Sequence, residues 1–217
     1  MLEDLLALIA PPACAVCGDG CEVGRRMCER CELGLRGAAP VWSVVPGIDQ
    51  VWSAAGYDGP ARQLVGAMKF RARLGLAKDA AALMAGRVPE DLLVGGVVPV
   101  PAAPARRRRR GFDAAEAIAA ALAERCGLPI APCLARSESA RQVGRRRVER
   151  LADPPRVRAV SPPPCEVLLV DDVMTTGATL GACAQALRAA GAARVAAVTL
   201  AVSRPASRRL GANARAA

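Results

Sequence analysis

The chain contains no histidine. Any metal ligands must therefore be thiolates or carboxylates. Aromatic residues number five, Trp42, Trp52, Tyr57, Phe70 and Phe112, too few for a platform that stacks the bases of a single strand. Only Lys69 and Lys78 are lysine, so the basic excess is almost all arginine. The plainer reading of that excess is a nucleotide-composition bias toward Arg and Ala codons, since net charge speaks to solubility and partners and not to fold. The longest apolar run, Leu92 to Pro101, is shorter than the ~20 residues of a membrane-crossing helix. The apolar start, Leu2 to Ala10, lacks a basic lead and carries Glu3 and Asp4, so it does not read as a secretory signal. A cytoplasmic location follows as the expectation. The nine cysteines are then reduced thiols or metal ligands and not disulfides.

Against these absences stand 217 residues, 53% of them apolar, and a net charge of +10. The length suits one mid-sized domain plus a small appendage. The basic balance points to a phosphate-bearing partner, either a nucleic acid or a small phosphorylated ligand.

Composition divides the chain into residues 1–45, 46–203 and a tail at 204–217 expected to fray. Five of the nine cysteines lie in the first part, after a short helix (Leu2 to Ala10) halted by Pro11 and Pro12. From Val51, strand and helix patterns alternate. Strands are expected at Val51–Tyr57, Leu92–Val100, Ile130–Leu134, Val167–Val170 and Val195–Val202. Helices are expected at Ala61–Ala85, interrupted near Gly75, at Ala114–Arg125 between Asp113 as N-cap and Gly127, and at Thr179–Ala190. Asp58-Gly59-Pro60 reads as a turn and Ser137–Pro164 as a long polar loop. The alternation predicts an α/β fold, a parallel sheet flanked by helices.

The densest chemistry lies at Val167-Leu-Leu-Val-Asp-Asp-Val-Met-Thr-Thr-Gly-Ala-Thr179. Four apolar residues fill a central strand. Asp171 and Asp172 follow at its carboxyl end, where open α/β sheets bind ligands. Adjacent carboxylates repel unless a cation or hydroxyl donors lie between them, and a ribose diol or hydrated Mg²⁺ meets that need. Thr175, Thr176, Gly177, Ala178 and Thr179 then offer hydroxyls, a turn that faces amides inward, and a helix N-terminus, which together suit a phosphate. No lysine follows, so this is not the nucleotide P-loop. The plainer alternative is an ordinary strand-to-helix turn with Asp and Thr as caps.

Cys14-x-x-Cys17 and Cys28-x-x-Cys31 are ten residues apart, a spacing that suits two knuckles closing a four-thiolate Zn²⁺ site. Metal would then supply the folding energy of so small a module. A redox dithiol or idle core cysteines are the competing readings, and Cys21 is either a substitute ligand or a bystander. Cys126, Cys133, Cys165 and Cys183 read as buried small residues.

Together these segments resemble the ComF family of late-competence and GntX-type proteins, which carries the phosphoribosyl diphosphate (PRPP) motif of type I phosphoribosyltransferases. Beyond the acid pair and Thr loop, Tyr57-Asp-Gly-Pro60 with Met68-Lys-Phe70, Val98-Pro-Val-Pro101 with Arg110-Gly-Phe112, and Arg141-Gln142 through Arg147 and Arg150 are similar to that family's signatures. The chain departs from the family at Asp113-Ala114, where members often carry Asn-Gln.

The resemblance implies a type I phosphoribosyltransferase-like sheet with an N-terminal zinc ribbon. It implies ribose hydroxyls on Asp171 and Asp172 with Mg²⁺ nearby, and the 5′-phosphate on Thr175 to Thr179. Arg147 falls in the mobile lid. Arg109, Arg110 and Lys69 are candidates for the diphosphate. The run Arg106 to Arg110 supports two uses, guanidinium forks on diphosphate or sequence-blind contact with a DNA backbone, against a solvated loop. Two functions follow: a phosphoribosyltransferase with an unidentified acceptor, or a non-enzymatic protein of DNA uptake, binding single-stranded DNA or competence proteins.

Overall fold

In the computed structural model, residues 12–71, 74–136 and 155–203 are described. The expected first helix, the tail and residues 137–154 lie outside them. Five strands form one sheet in the order β1-β2-β7-β6-β3. These are β1 (Val41–Ser43), β2 (Gln50–Gly56), β3 (Gly96–Pro99), β6 (Glu166–Met174) and β7 (Arg194–Val202). All pairings are parallel except β1 with β2. A separate antiparallel ribbon joins β4 (Leu134–Arg136) to β5 (Val157–Ala159).

β6 and β7 occupy the sheet's interior. They read as near-continuous apolar runs because strands covered on both faces need no polar side. One face is packed by α2 (Gly59–Arg71), α3 (Leu74–Ala85) and α5 (Ala114–Cys126), with Leu64, Met84 and Ile118 against Leu168, Val170 and Val198. The other is packed by α6 (Ala178–Ala189) and the ribbon, with Leu180, Leu187 and Leu134 against Val167, Leu169 and Val195. The expected helix at Ala114 holds closely. Asp113 Oδ1 accepts from Ala115 N at 3.0 Å and Glu116 N at 3.5 Å, and Gly127 closes it at φ 65°.

Several expectations change. Gly59 and Pro60 open α2 instead of forming a free turn, consistent with the preference for proline in a helix's first turn. The Leu92–Val100 segment begins as a 3₁₀ turn, Glu90–Leu92, and is strand only from Gly96. Ile130 makes one isolated bridge to Val97, and the short strand lies later, at β4. Part of the Ser137–Pro164 loop is β5. The arginine run, for which a solvated loop was the plainer alternative, is helical: α4 (Pro104–Arg110) starts on a proline and ends at Gly111, φ 75°.

The cysteine module does not stand apart. It carries α1 (Glu29–Arg36), and its Cys14, Val16, Met27, Cys31 and Leu35 join the same buried cluster as α2 and α3. Three devices dock it. The Arg26 guanidinium lies across Gly75, where a Cβ would meet its Cδ at 2.9 Å, and donates to both Asp79 oxygens at 2.8 and 2.9 Å. Gly34 lets Pro60 approach to 3.0 Å of the position a Cβ would take. Arg87 donates to Leu35 O at 3.0 Å and to Ala38 O, placing a cation on the carbonyl end of α1.

Candidate functional site

The β3 pairing with β6 ends at Pro99 opposite Val170, with one further bond from Val100 N to Val170 O at 2.9 Å. From Asp171 onward that edge of β6 is open. A cleft of about 480 Å³ fills the space at the carboxyl ends of β2, β3, β6 and β7, the place an open parallel sheet offers a ligand. Asp171 and Asp172 line it, as do Thr175 and Thr179.

The acid pair stands within β6 and not beyond it. Successive strand residues face opposite sides, so the two carboxylates diverge. Asp171 continues the row of Val167 and Leu169 on the α6 side. Asp172, 8% exposed, continues the row of Leu168 and Val170 toward α2 and α5. Asp171 Oδ1 accepts from the Asp172 amide at 2.8 Å, which fixes one carboxylate against the backbone. Asp171 also lies in register with Thr199 and Ser53 across three strands. Both hydroxyls are fully buried, 2.7 Å apart. Thr199 donates to Ala201 O at 3.1 Å, so Ser53 donates to Thr199.

Gly177 is the hinge of the Thr loop. Its φ of 78° favours glycine, and a Cβ there would meet Val45 Cγ2 at 2.7 Å. The Ala178 amide donates to Thr176 Oγ1 at 3.3 Å, and α6 starts at once. Thr175, Thr176 and Ala178 are exposed, while Gly177 is buried beneath them. The helix therefore presents its N-terminal end beside two hydroxyls that line the cleft.

Other walls come from elements that sequence patterns placed less well. Arg106 of α4 lines the cleft, although the candidates chosen from the run were Arg109 and Arg110. For those two and for Lys69 the structure describes only backbone, in α4 and α2. Arg147 lies outside the described residues. Asp113 Oδ2 accepts the Ala102 amide at 2.9 Å, so that amide is already engaged at the β3 exit. Arg136, the last residue of β4, also lines the cleft and was not anticipated. Burial and the neighbouring Arg106 guanidinium loosen its proton, against a smaller opposing pull from Cys183 and Asp171. Beneath it, burial and the Asp171 charge push the Cys183 thiol up to about 12. A basic residue in a strand of three, beside an arginine-rich segment, offers no local signal that separates it from its neighbours.

The four sulfurs of Cys14, Cys17, Cys28 and Cys31 lie within 4.8 Å of one another and could hold a metal ion. Cys17 and Cys28 are 3.7 Å apart, close to the ~3.8 Å separating thiolates bound 2.3 Å from a tetrahedral centre. Amides of Val16 and Cys28 donate to Cys14 Sγ at 3.4 and 3.3 Å. Burial alone would raise that thiol, but the backbone donors outweigh it and hold it at about 6. Cys21 is not in the cluster; its Sγ donates to Arg25 O at 3.5 Å.

Residues 108–212 match the family model of the phosphoribosyl transferase domain. The match takes in α5, the ribbon, β6, the Thr loop, α6 and β7. The chain thus has a phosphoribosyltransferase-type α/β fold, with a four-cysteine cluster near its N-terminus. No curated protein matches it. Among solved structures it is similar to orotate phosphoribosyltransferase from Aeropyrum pernix, at 23% identity over 79% of each chain and a TM-score of 0.36. No helix among the described residues is long and apolar enough to cross a membrane.

Proposed function

We propose that the cleft binds PRPP or a related phosphoribosyl ligand with Mg²⁺, in a protein of the ComF type. One observation carries this reading: the acid pair of β6 and the Thr loop at the start of α6 line the same cleft. Asp171 and Asp172 accept from the ribose hydroxyls. Thr175, Thr176, Gly177, Ala178 and Thr179 hold the 5′-phosphate through hydroxyls, inward amides and the positive end of α6. Arg109, Arg110 and Lys69 remain the candidates for the diphosphate, and Arg147, outside the described residues, is a further candidate by the family resemblance alone. The donor set fits a hard cation, since two carboxylates and phosphate oxygens are the ligands Mg²⁺ takes. Bound Mg²⁺ would neutralise charge on the departing diphosphate. The chain's own part is to orient the sugar, exclude water and hold the phosphates apart from the reacting carbon.

The module fits zinc. Four thiolates at tetrahedral spacing, without histidine, match a structural site.

Titration calorimetry of the purified protein with PRPP and Mg²⁺ tests the cleft, with binding expected. Incubation with PRPP and a panel of bases separates transfer, which releases diphosphate, from binding alone. A second reading, a DNA-handling protein on the same fold, draws on α4. Arg106, Arg107 and Arg108, the described side chains of its arginine run, are all exposed, and Arg106 also lines the cleft. Single-stranded DNA affinity that falls steeply with salt, and is lost on neutralising residues 106–110 with PRPP binding kept, would favour it.

A further inference from the structure

A second cavity, of about 600 Å³, lies where the cysteine module meets α3, and it shares no lining residue with the cleft. Its volume falls in the ~300–1,000 Å³ range of small-molecule sites. Apolar surface comes from Met27 of the module and from Ala82 and Leu83 of α3. The rest of the wall is charged. Arg25, Arg26 and Arg36 of the module and Arg87 just beyond α3 line it, beside the carboxylates of Glu32 and Asp79. Glu32 is shared by two guanidiniums, those of Arg25 and Arg36. Arg26 pairs with Asp79, while Arg87 donates to two carbonyls, Leu35 O and Ala38 O. Glu22, which Arg25 also reaches at 3.3 Å, adds one carboxylate from outside the lining. Among the described residues, the cavity's guanidiniums still outnumber the carboxylates that meet them, and the excess favours an anion.

The same bonds hold these long side chains in place before any ligand arrives, which lowers the cost of ordering them on binding. A guanidinium's planar fork suits phosphate oxygens, and its face stacks on aromatic rings. We propose that this cavity binds a small phosphate carried on an aromatic ring system, of mononucleotide size. The ring lies over Met27, Ala82 and Leu83, and the phosphate sits among the guanidiniums of Arg25, Arg36 and Arg87. Because the walls come from two parts of the chain, the ligand bridges them and tightens the docking of the module on α3.

Titration calorimetry on the full chain tests it, with AMP, adenosine and inorganic phosphate as probes. AMP should bind, and adenosine and phosphate should each bind at least ~10-fold more weakly, since each lacks one half of the recognised chemistry. AMP should also raise the midpoint of thermal unfolding. Ala82→Trp, which fills the apolar surface, should abolish both signals. Arg36→Gln, at an exposed position, should weaken AMP by about 10-fold, and it serves if the tryptophan variant fails to fold. AMP carries a 5′-phosphoribosyl group, so the cleft is a competing seat, and Asp172→Asn should leave AMP binding intact. Binding that survives Ala82→Trp and Arg36→Gln, or is lost in Asp172→Asn, would place AMP in the cleft and overturn the proposal. No AMP binding at millimolar concentration would overturn it too. Failure of the phosphoribosyl reading is told apart because it shows with PRPP, at residues this cavity does not use.

Discussion

Arg26 in the cysteine module meets both oxygens of Asp79 at 2.8 and 2.9 Å, whereas Arg136 in the cleft meets no carboxylate of the described residues closely enough to pair. The contrast extends around each residue. In the module, Arg25 reaches Glu22 and Glu32, Arg30 reaches Asp19, and Arg36 reaches Glu32. In the cleft, Arg106 and Arg136 face each other's charge as well as the carboxylates of Asp171, Asp172 and Asp113. The net charge of +10 is therefore not one property. One share is neutralised locally and fastens a small module to a larger sheet. Another stands in the open cleft beside the carboxylates of Asp113, Asp171 and Asp172, without a close ion pair among the described residues. If that division is right, substitutions in the two regions should fail in different measurements.

The largest effect is expected at the metal cluster. Metal analysis should find about one zinc per chain. Cys14→Ser, or removal of the metal by a chelator, should lower stability by on the order of 5 kcal/mol, less than the ~10–16 of isolated zinc-finger peptides. Cys14, Cys31 and Leu35 share the core of α2 and α3, so the loss should reach the whole domain. The midpoint of thermal unfolding should fall by roughly 10–20 °C. A metal-free protein that melts at the wild-type temperature would break the first half of the comparison.

Next come the acid pair. Asp171→Asn and Asp172→Asn should each weaken PRPP binding by about 10–100-fold, as expected for charge-assisted hydrogen bonds worth ~1.5–3 kcal/mol. Melting temperatures should barely move. Unchanged affinity in both variants would remove the cleft from consideration as a phosphoribosyl site. Gly177→Ala should act on both measurements. Its φ of 78° and the 2.7 Å approach of Val45 predict a stability loss of ~1–3 kcal/mol, together with weaker binding of ribose 5-phosphate.

The sequence made some of this visible and hid the rest for physical reasons. The four clustered cysteines sit close along the chain, so spacing alone pointed to them. The segment from Val167 to Thr179 builds strand, acids, turn and helix start from consecutive residues, and local pattern was enough there too. Asp113 and Gly127 marked α5 through caps that act within one turn. Elements defined by distant partners were not legible. β1 is three residues whose strand state depends on pairing Trp42 with Trp52. Arg136 reaches the cleft only because β4 pairs with β5, twenty residues away and across a segment of no clear pattern. In α4 the helix signals Pro104 and Gly111 were present, but five consecutive like charges left a self-repelling loop open as the plainer alternative. The extension of β6 through Asp171 and Asp172 is set by β7, whose register continues to Met174 opposite Val202.

The smallest effect is also the sharpest test of the contrast. Arg26→Ala removes a guanidinium that is about half exposed, so the pair with Asp79 should contribute no more than ~1 kcal/mol after solvent screening. The packing of its stem over Gly75 adds to that. A fall of a few degrees in melting temperature is expected, with PRPP affinity unchanged. Arg106→Ala should do the reverse, because no ion pair among the described residues holds that charge and its removal eases the repulsion on Arg136. Its melting temperature should hold or rise slightly while PRPP affinity drops. The two single variants and the double variant, measured side by side, should give additive changes, since the sites share no partner. A stability loss from Arg106→Ala as large as that from Arg26→Ala would mean that the cleft arginines are fastenings like the rest. The distinction between neutralised and reserved charge would then be wrong.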